Sequence, residues 1–314
     1  MTQFETEIYL RYKQIIESQG VGTSVLAGGE SLAPQRVRME DLLDRYDAFC
    51  FDGYGTLYNR GSFVYEGALD WFRALRREGK SVRLITNAAS DVDEVLARDA
   101  DKRGFDFSTE ETVSSGSLLR DLVKELRSLG KAIREVYYIG RETGKHVLEG
   151  CGIKAVAPAG EPVEPIVAIS SAKDTPETYE QAVKILKRPG AMLLVLNSDA
   201  WAPKIPGDDG VTVREPVSGA LSERLRRDSM CETNGGAGCE TFYLGKPFPT
   251  IWEKVKRCLP EGSRVLMVGD TLGTDVLGAK VAGFDSALVV GRNVPADELE
   301  SDEKALGIRP DWYL

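Results

Sequence analysis

The chain has few of the histidine and cysteine residues that form zinc sites and disulfide frameworks. His146 is its only histidine, so a zinc site of the usual Cys and His type lacks ligands. The five cysteines are an odd number without a Cys-x-x-Cys pair, which argues against a disulfide framework in a chain of this size. Cys231 and Cys239 flank four small residues, 235–238, and we interpret this stretch as an exposed loop in preference to a redox loop.

The chain also lacks an excess of positive charge and any long apolar run. Forty Lys and Arg against 49 Asp and Glu leave a net charge of −9. This balance argues against nucleic-acid or anionic-membrane partners, which favour a basic surface. No stretch approaches the roughly eighteen apolar residues that predict a membrane span. The first residues contain no apolar run, so we expect no secretory signal and a cytoplasmic location.

What is present suits a folded protein of two domains. The 314 residues are 42% hydrophobic and 28% charged. The apolar segment Tyr46–Phe51 predicts a buried strand, and it is followed by Asp52 and a turn with Gly53 and Gly55. Glycines there allow backbone to approach a ligand closely, at the carboxyl end of a strand, where open α/β sheets bind ligands. Two further predicted strands, 81–85 and 264–269, end in polar residues, namely Thr86, Asn87 and Asp270.

These strand ends, with Lys246 between Gly245 and Pro247, occur in the order of four known motifs. The chain resembles the haloacid dehalogenase superfamily, whose motifs are Asp-x-Asp-Gly-Thr, Ser or Thr, Lys, and Gly-Asp-x-x-x-x-Asp. It looks most like the class IIA branch, the NagD-like phosphatases, from about Tyr46 to the C-terminus. The resemblance implies an α/β fold: a doubly wound, Rossmann-like core with an inserted α/β cap domain of the C2, class IIA type.

The resemblance also implies a role for each motif residue. Asp52 would attack phosphorus and form an aspartyl-phosphate. Thr86 and the backbone amide of Asn87 would hold a phosphate oxygen, and Lys246 would neutralise the transferred group. Mg²⁺ is the implied cofactor, because it binds carboxylate oxygens and offsets the repulsion between two anions. The implied metal ligands are Asp52, the backbone carbonyl of Tyr54 and Asp270, with Asp275 at or just behind the metal.

Tyr54 departs from the family pattern. Most superfamily phosphatases have a second aspartate there, which acts as general acid and base. The ordinary pKa of a phenol is near 10, so Tyr54 is a poor base at neutral pH, although it can donate a hydrogen bond. The prediction is therefore a Mg²⁺-dependent hydrolase of small phosphomonoesters, similar to sugar or nucleotide phosphatases. The alternative is a phosphate-ligand binding or sensing protein with weakened turnover.

A 2-haloacid dehalogenase is a further alternative, because the first motif of those enzymes has the same Asp-x-Tyr-Gly-Thr pattern. Only about thirty residues separate Leu57 from Thr86, which leaves no room for the cap that dehalogenases carry there. The last motif also retains Asp270 and Asp275, where dehalogenases carry a Ser-Asn type sequence. Phosphoryl chemistry is therefore favoured over dehalogenation.

Alternating strands and helices set the predicted domain organisation. We expect a helical N-terminal extension, packed on the core, at residues 1–45. The core is predicted to consist of residues 46–133 and 240–314, and the cap of residues 134–239. Residues 201–216 are expected to be irregular. Three cap residues are candidates for lining the substrate crevice, and His146 is expected to be structural. The partner is expected to be a small phosphorylated metabolite, and the resemblance implies a possible homodimer through the cap. The crevice candidates are Asn197, Ser198 and Asp199.

Overall fold

The computed structural model describes residues 1–21, 34–131, 133–207, 212–230 and 239–314. Cys231 and residues 235–238 of the predicted exposed loop lie outside these ranges. The strands are β1 Gln35–Arg36, β2 Ala48–Phe51, β3 Ser81–Thr86, β4 Thr112–Ser114, β5 Glu135–Ile139, β6 Lys154–Val156, β7 Ile166–Ile169, β8 Met192–Val195, β9 Trp201–Pro203, β10 Arg214–Pro216, β11 Glu240–Tyr243, β12 Val265–Gly269, β13 Asp285–Leu288 and β14 Trp312–Tyr313.

Helices connect most of these strands. The α-helices are α1 Gln3–Ser18, α2 Ala68–Arg77, α3 Asp93–Asp101, α4 Leu119–Ser128, α5 Lys145–Glu149, α6 Pro176–Leu186, α7 Ser218–Ser229, α8 Pro249–Arg257, α9 Leu277–Ala282 and α10 Leu299–Leu306. A π-helical turn, Leu272–Val276, leads directly into α9. None of the described helices combines the length and the apolar character that crossing a bilayer requires.

A seven-stranded parallel sheet carries the motif residues. Its order is β1-β14-β13-β12-β2-β3-β4. Strands β2 and β12 lie at its centre and are buried along their whole length, as expected when helices cover both faces of a parallel sheet. Because β2 and β12 are neighbours, Asp52 and Asp270, which follow them, emerge side by side. The predicted α/β class is confirmed.

A second parallel sheet, with five strands in the order β11-β8-β7-β5-β6, is inserted between α4 and α8. The sequence assigned β11 to the core, but Glu240 pairs with Met192 of β8. The backbone N–H of Leu244 continues this pairing to the carbonyl of Val195 at 2.9 Å. The chain therefore returns to the seven-stranded sheet after Tyr243, because completing the edge of the five-stranded sheet satisfies these backbone groups. The remaining domain boundaries stay a prediction.

One hydrophobic cluster crosses from one sheet to the other. Val113 and Leu119 from the seven-stranded side pack in the same cluster as Val136 and Leu194 of the five-stranded sheet. A separate cluster covers the other face of the five-stranded sheet, beneath α6 and α7. The two sheets are therefore joined by shared apolar packing as well as by the chain connections.

Helix α1 bridges the two parts of the molecule. Its residues Ile8, Tyr9, Tyr12 and Ile16 are almost completely buried. They pack against the π-helical turn and α9 on one side and against α7 on the other. The Tyr12 hydroxyl donates a hydrogen bond to the carbonyl of Ser198 at 2.9 Å. Helix α1 therefore contacts helices that connect strands of the seven-stranded sheet and a helix that packs on the five-stranded sheet.

Two expectations about regular structure are wrong. Residues 34–45 do not form an α-helix: β1 pairs with β14, and a 3₁₀ turn follows at Met39–Leu42. Pro34 precedes β1, and proline favours an extended chain at a sheet edge, where its missing N–H is not needed. Residues 201–216 contain the antiparallel pair β9 and β10, joined in register from Trp201 with Pro216 to Pro203 with Arg214. Both strands end in proline, and proline in a short segment argues against a strand in sequence analysis, so the sequence does not predict the pair.

Candidate active site

Lys246 lies at the centre of a buried group of carboxylates. Its Nζ donates to Asp52 Oδ1 at 2.6 Å and to Asp275 Oδ1 at 2.7 Å. The same Nζ donates to the carbonyl of Ile85 at 2.9 Å, so all three of its N–H bonds are used. Lys246 is only 1% exposed. The structure thus brings the first, third and fourth motifs together around one ammonium group.

Glycines make room for the carboxylates. Gly55 has φ +99°, and a Cβ there would lie 2.1 Å from Asp270 Oδ2. A Cβ at Gly269 would lie 2.2 Å from Asp275 Cγ. The backbone N–H groups of Asp270 and Thr271 each donate to Asp275 Oδ2 at 3.1 Å. Close backbone approach therefore sets the position of these acids, as the glycines in the first and last motifs suggested.

The three acids fit a divalent cation. Asp52, Asp270 and Asp275 each offer an oxygen, and these atoms lie within 4.8 Å of one another. Asp270 Oδ2 is buried and has no hydrogen-bond partner among the described residues, and burial raises the pKa of both Asp52 and Asp270. Three carboxylates against the one ammonium of Lys246 leave a formal charge of −2, which one divalent cation would neutralise. Hard oxygen ligands of this kind suit Mg²⁺.

Thr86 and Asn87 lie at the end of β3, beside this group. Both are buried, and Thr86 Oγ1 accepts a hydrogen bond from the Ala88 N–H at 3.2 Å. The Asn87 side chain accepts from the Lys246 N–H at 2.7 Å and donates to the Lys246 carbonyl at 3.0 Å. It also donates to Asp199 Oδ1 at 2.8 Å. Asn87 therefore holds the backbone of the lysine loop, a role that its sequence position did not indicate.

The three crevice candidates separate in the structure. Asn197 and Asp199 line the main cavity. Ser198 does not line it and is completely buried. The Ser198 hydroxyl donates to the carbonyl of Lys246 and accepts from Asn87 Nδ2 at 3.1 Å. The expectation that Ser198 faces substrate is therefore wrong, because its hydroxyl points away from the cavity and bonds to the Lys246 carbonyl and to Asn87.

Tyr54 is partly buried at the wall of the cavity. Its ring packs edge-on against Tyr58, with centroids 5.2 Å apart. Burial raises the pKa of Tyr54, and the nearby Arg103 guanidinium opposes this rise. His146 lies elsewhere, with 82% of its side chain exposed beside Glu149, so it is a surface residue and has no structural role in the core.

A cavity of about 470 Å³ opens above Asp52 and Thr86. This volume is in the range of sites for small molecules. The loops after β5 and β7 contribute Arg141, Ser170 and Lys173 to its walls, and the β9–β10 hairpin closes another side. Arg141 follows the carboxyl end of a parallel strand, so a search of every strand end would have found it.

Two supporting asparagines carried no sequence signal. Asn293 donates to Thr271 Oγ1 at 2.7 Å and to the carbonyl of Trp201 at 3.2 Å. Thr271 Oγ1 in turn donates to Asp270 Oδ1 at 3.1 Å. Asn59 donates to the carbonyl of Pro203 at 3.1 Å. Both asparagines therefore tie the β9–β10 hairpin to the loops that carry the acids, through contacts that only the folded chain creates.

Two family models match this chain. The model described as haloacid dehalogenase-like hydrolase matches residues 49–154, and the model described as HAD-hydrolase-like matches residues 243–314. Together the two matches cover more than half of the chain and include all four motifs. They leave the region that holds most of the five-stranded sheet unmatched, as expected for an insertion that varies within a family.

Two curated relatives match over nearly their whole length. A 5'-nucleotidase, YutF, from Bacillus subtilis is 29% identical over 85% of this chain and 97% of its own. Human glycerol-3-phosphate phosphatase is 26% identical over 92% of this chain and 95% of its own. Among solved structures, a possible sugar phosphatase of the HAD superfamily from Cytophaga hutchinsonii superposes with a TM-score of 0.69. It has 24% identity and covers 90% of this chain and 97% of that one. This last likeness shows the fold.

Proposed function

Because this chain belongs to the haloacid dehalogenase superfamily, in its class IIA branch, and is a phosphatase, we propose that it hydrolyses small phosphomonoesters with Mg²⁺. The proposed route passes through an aspartyl-phosphate on Asp52. The observation that carries this proposal is the buried group of Asp52, Asp270, Asp275 and Lys246 beneath a cavity of about 470 Å³. Such a floor can neutralise a phosphoryl group while one carboxylate attacks it.

Each step can be assigned to residues of this chain. A carboxylate oxygen of Asp52 forms a bond to phosphorus as the ester P–O bond breaks, and the leaving alkoxide takes a proton from water. The Thr86 hydroxyl and the backbone N–H of Asn87 hold a phosphoryl oxygen, and the positive charge of Lys246 offsets the negative charge that the loose transition state spreads over the phosphoryl oxygens. Water then attacks the phosphorus of the aspartyl-phosphate, which releases inorganic phosphate and regenerates the carboxylate.

Mg²⁺ would supply the charge that lets the Asp52 carboxylate and the phosphate approach each other. Its proposed ligands are Asp52, Asp270 and the backbone carbonyl of Tyr54, with Asp275 at or just behind the metal. The orphaned Asp270 Oδ2 supports this assignment, because a buried carboxylate oxygen without a partner is costly unless a cation meets it.

Removal of the metal tests this proposal. Protein treated with EDTA and dialysed should lose its activity on p-nitrophenyl phosphate, and added Mg²⁺ should restore it. Asp270→Asn should raise the Mg²⁺ concentration for half-maximal activity by at least about 10-fold, because a ligand is lost. The matched control is Asp121→Asn, since Asp121 is an exposed aspartate whose ion pair is with Lys124 at 3.9 Å. An unchanged Mg²⁺ titration in Asp270→Asn would contradict this metal site.

The competing hypothesis, a phosphate-ligand binding protein with weakened turnover, rests on Tyr54. Tyr54→Asp should raise kcat on alkyl phosphates about 10-fold or more, because a carboxyl at this position can act as general acid for a poor leaving group. It should change kcat on p-nitrophenyl phosphate far less, since nitrophenolate leaves without a proton. Tyr54→Phe is the control for the hydroxyl. A rise on alkyl esters would favour the binding protein, whereas equal effects on both esters would mean that residue 54 takes no part in protonation.

The remaining proposals concern partners and location. We propose a small phosphorylated metabolite as the substrate, in keeping with the cavity volume of about 470 Å³. The net charge of −9 supports the proposal that the protein binds no nucleic acid or membrane surface. A cytoplasmic location and a homodimer through the five-stranded part of the molecule are proposed from the resemblance to class IIA and from the sequence alone.

A further inference from the structure

The cavity above Asp52 has cationic side chains that the proposed mechanism does not use. Arg141 follows β5, and Lys173 follows β7. Within the described part of the chain, neither cation has a carboxylate within ion-pair distance, whereas Arg60 on the same cavity is paired with Glu215 at 2.8 Å. Unpaired cations in a concave site are available to a ligand.

Arg103 is the most constrained of these cations. Its side chain is only 7% exposed, and its guanidinium lies 4.8 Å from the centre of the Tyr58 ring. Nη1 donates to the backbone carbonyl of Asp99 at 2.5 Å, which fixes the group in place. Nε is buried, and no residue in the described ranges accepts a hydrogen bond from it. A buried arginine with an unused donor is costly for a fold and useful for binding an anion.

Arg103 and Arg141 act on the same part of the cavity. Both side chains line the cavity of about 470 Å³ above Asp52, and Tyr54 belongs to the same lining. They come from different parts of the molecule, since Arg103 follows α3 and Arg141 follows β5. A ligand that contacts both would therefore bridge the seven-stranded and five-stranded parts above Tyr54.

Two acids, Asp91 and Asp99, lie on the same walls. Asp99 already faces Arg103, with its Oδ2 3.5 Å from Nη1. Burial raises the pKa of Asp91, and Arg141 opposes that rise without reaching ion-pair distance. Asp91 and Asp99 could instead favour a substrate with a positive charge. The other carboxylates of the lining already have partners: Asp52 pairs with Lys246, Glu215 pairs with Arg60, and Asp199 accepts from Asn87. Asp91 and Asp99 therefore stand against Arg103, Arg141 and Lys173, and this excess of cations favours an anion.

We propose that Arg103 and Arg141 form a second anion-binding subsite, so that the preferred substrate is a small phosphomonoester carrying another anionic group. A carboxylate and a phosphate each present two anionic oxygens that one arginine can bind with two parallel hydrogen bonds. This inference rests on the proposed phosphatase function, because the ester phosphate must lie against Asp52 for the second group to reach the arginines.

The test compares esters that differ only in the second group. The esters are phosphoglycolate, its neutral amide, propane-1,3-diol bisphosphate and phosphoethanolamine, with p-nitrophenyl phosphate as a general substrate. We expect kcat/KM for phosphoglycolate or the bisphosphate to exceed that of the amide by about 10- to 100-fold, the range for a hydrogen bond to a charged group. Whichever of the two is preferred identifies the second group as a carboxylate or a phosphate.

Arg141→Met is the decisive variant, because Arg141 is exposed and its loss leaves the packing intact. The variant should reduce the ratio of anionic to amide ester to less than about threefold, and Arg141→Lys should restore part of it. Arg103→Gln should act in the same way, provided that its thermal unfolding matches the wild type. The control is Arg134→Met, since Arg134 is an exposed arginine at the other end of β5 and outside the cavity.

The outcomes separate the two proposals. A wild-type ratio near one, with p-nitrophenyl phosphate hydrolysed, overturns the subsite and leaves the phosphatase standing. A ratio that Arg141→Met does not lower also overturns the subsite. A preference for phosphoethanolamine also overturns the subsite, since it would mean that Asp91 and Asp99 bind a positively charged group of the substrate. Failure to hydrolyse any ester, including p-nitrophenyl phosphate, overturns the proposed function together with the subsite.

Discussion

Replacing Asp52 with asparagine should lower phosphatase activity by about 10⁴-fold or more, because removal of a catalytic nucleophile typically lowers kcat by this amount or more. The amide keeps the size of the carboxylate but cannot attack phosphorus as an anion. The neutral amide also loses the ion pair with Lys246, whose Nζ lies 2.6 Å from Asp52 Oδ1. The measurement is kcat on p-nitrophenyl phosphate with saturating Mg²⁺, together with a search for a phosphorylated protein during turnover.

The control for this variant lies at the other end of the same strand. Asp47 precedes β2, and its exposed carboxylate pairs with Arg264 at 2.9 Å. Asp47→Asn should change kcat by less than about twofold, because surface ion pairs contribute little. Activity close to the wild type in Asp52→Asn would show that another group attacks phosphorus, and the aspartyl-phosphate would then be wrong.

The parts of the fold that the sequence predicted well are those with strong local signals. Strands β2 and β12 contain no polar side chain, and an aspartate follows each of them directly. Parallel strands of one sheet present their carboxyl ends at the same edge, so the meeting of Asp52 and Asp270 follows from their strand assignments. Lys246 required the family resemblance, because a lysine between glycine and proline carries no local signal of burial.

The features that the sequence missed depend on contacts between distant segments. Strand β1 has only two residues and exists because β14, nearly three hundred residues later, offers its edge. Strand β11 could be read as part of either sheet until its pairing with β8 was known. Such pairings leave no local periodicity, so pattern analysis cannot assign them.

Ser198 shows the same limit at the site itself. Its position after β8 suggested a crevice residue, yet its carbonyl accepts from Tyr12, 186 residues away in the sequence. The Ser198 hydroxyl donates to the carbonyl of Lys246. Helix α1 is therefore linked to the lysine loop through Ser198, and the N-terminal segment supports the site from outside the four motifs.

Replacing Lys246 with methionine should cost both stability and activity. Methionine has a similar length but no charge, so Asp52 and Asp275 would be left buried without their shared cation. Breaking a buried ion pair from one side typically costs about 3–5 kcal/mol. Loss of a preorganised positive group at a transition state typically lowers kcat by about 10²–10³-fold. We expect losses of this size in urea unfolding and in the hydrolysis of p-nitrophenyl phosphate.

The metal offers a second way to test the role of Lys246. If the carboxylates around it bind Mg²⁺, the cation takes over part of their neutralisation, so the loss of unfolding free energy should be smaller in Mg²⁺ than in EDTA. Lys124→Met is the control, because Lys124 is 71% exposed and its nearest carboxylate is 3.9 Å away. It should change stability by less than about 0.5 kcal/mol in either condition. An equal loss for Lys246→Met with and without Mg²⁺ would mean that metal and lysine do not share these carboxylates, and the proposed ligand set would be wrong.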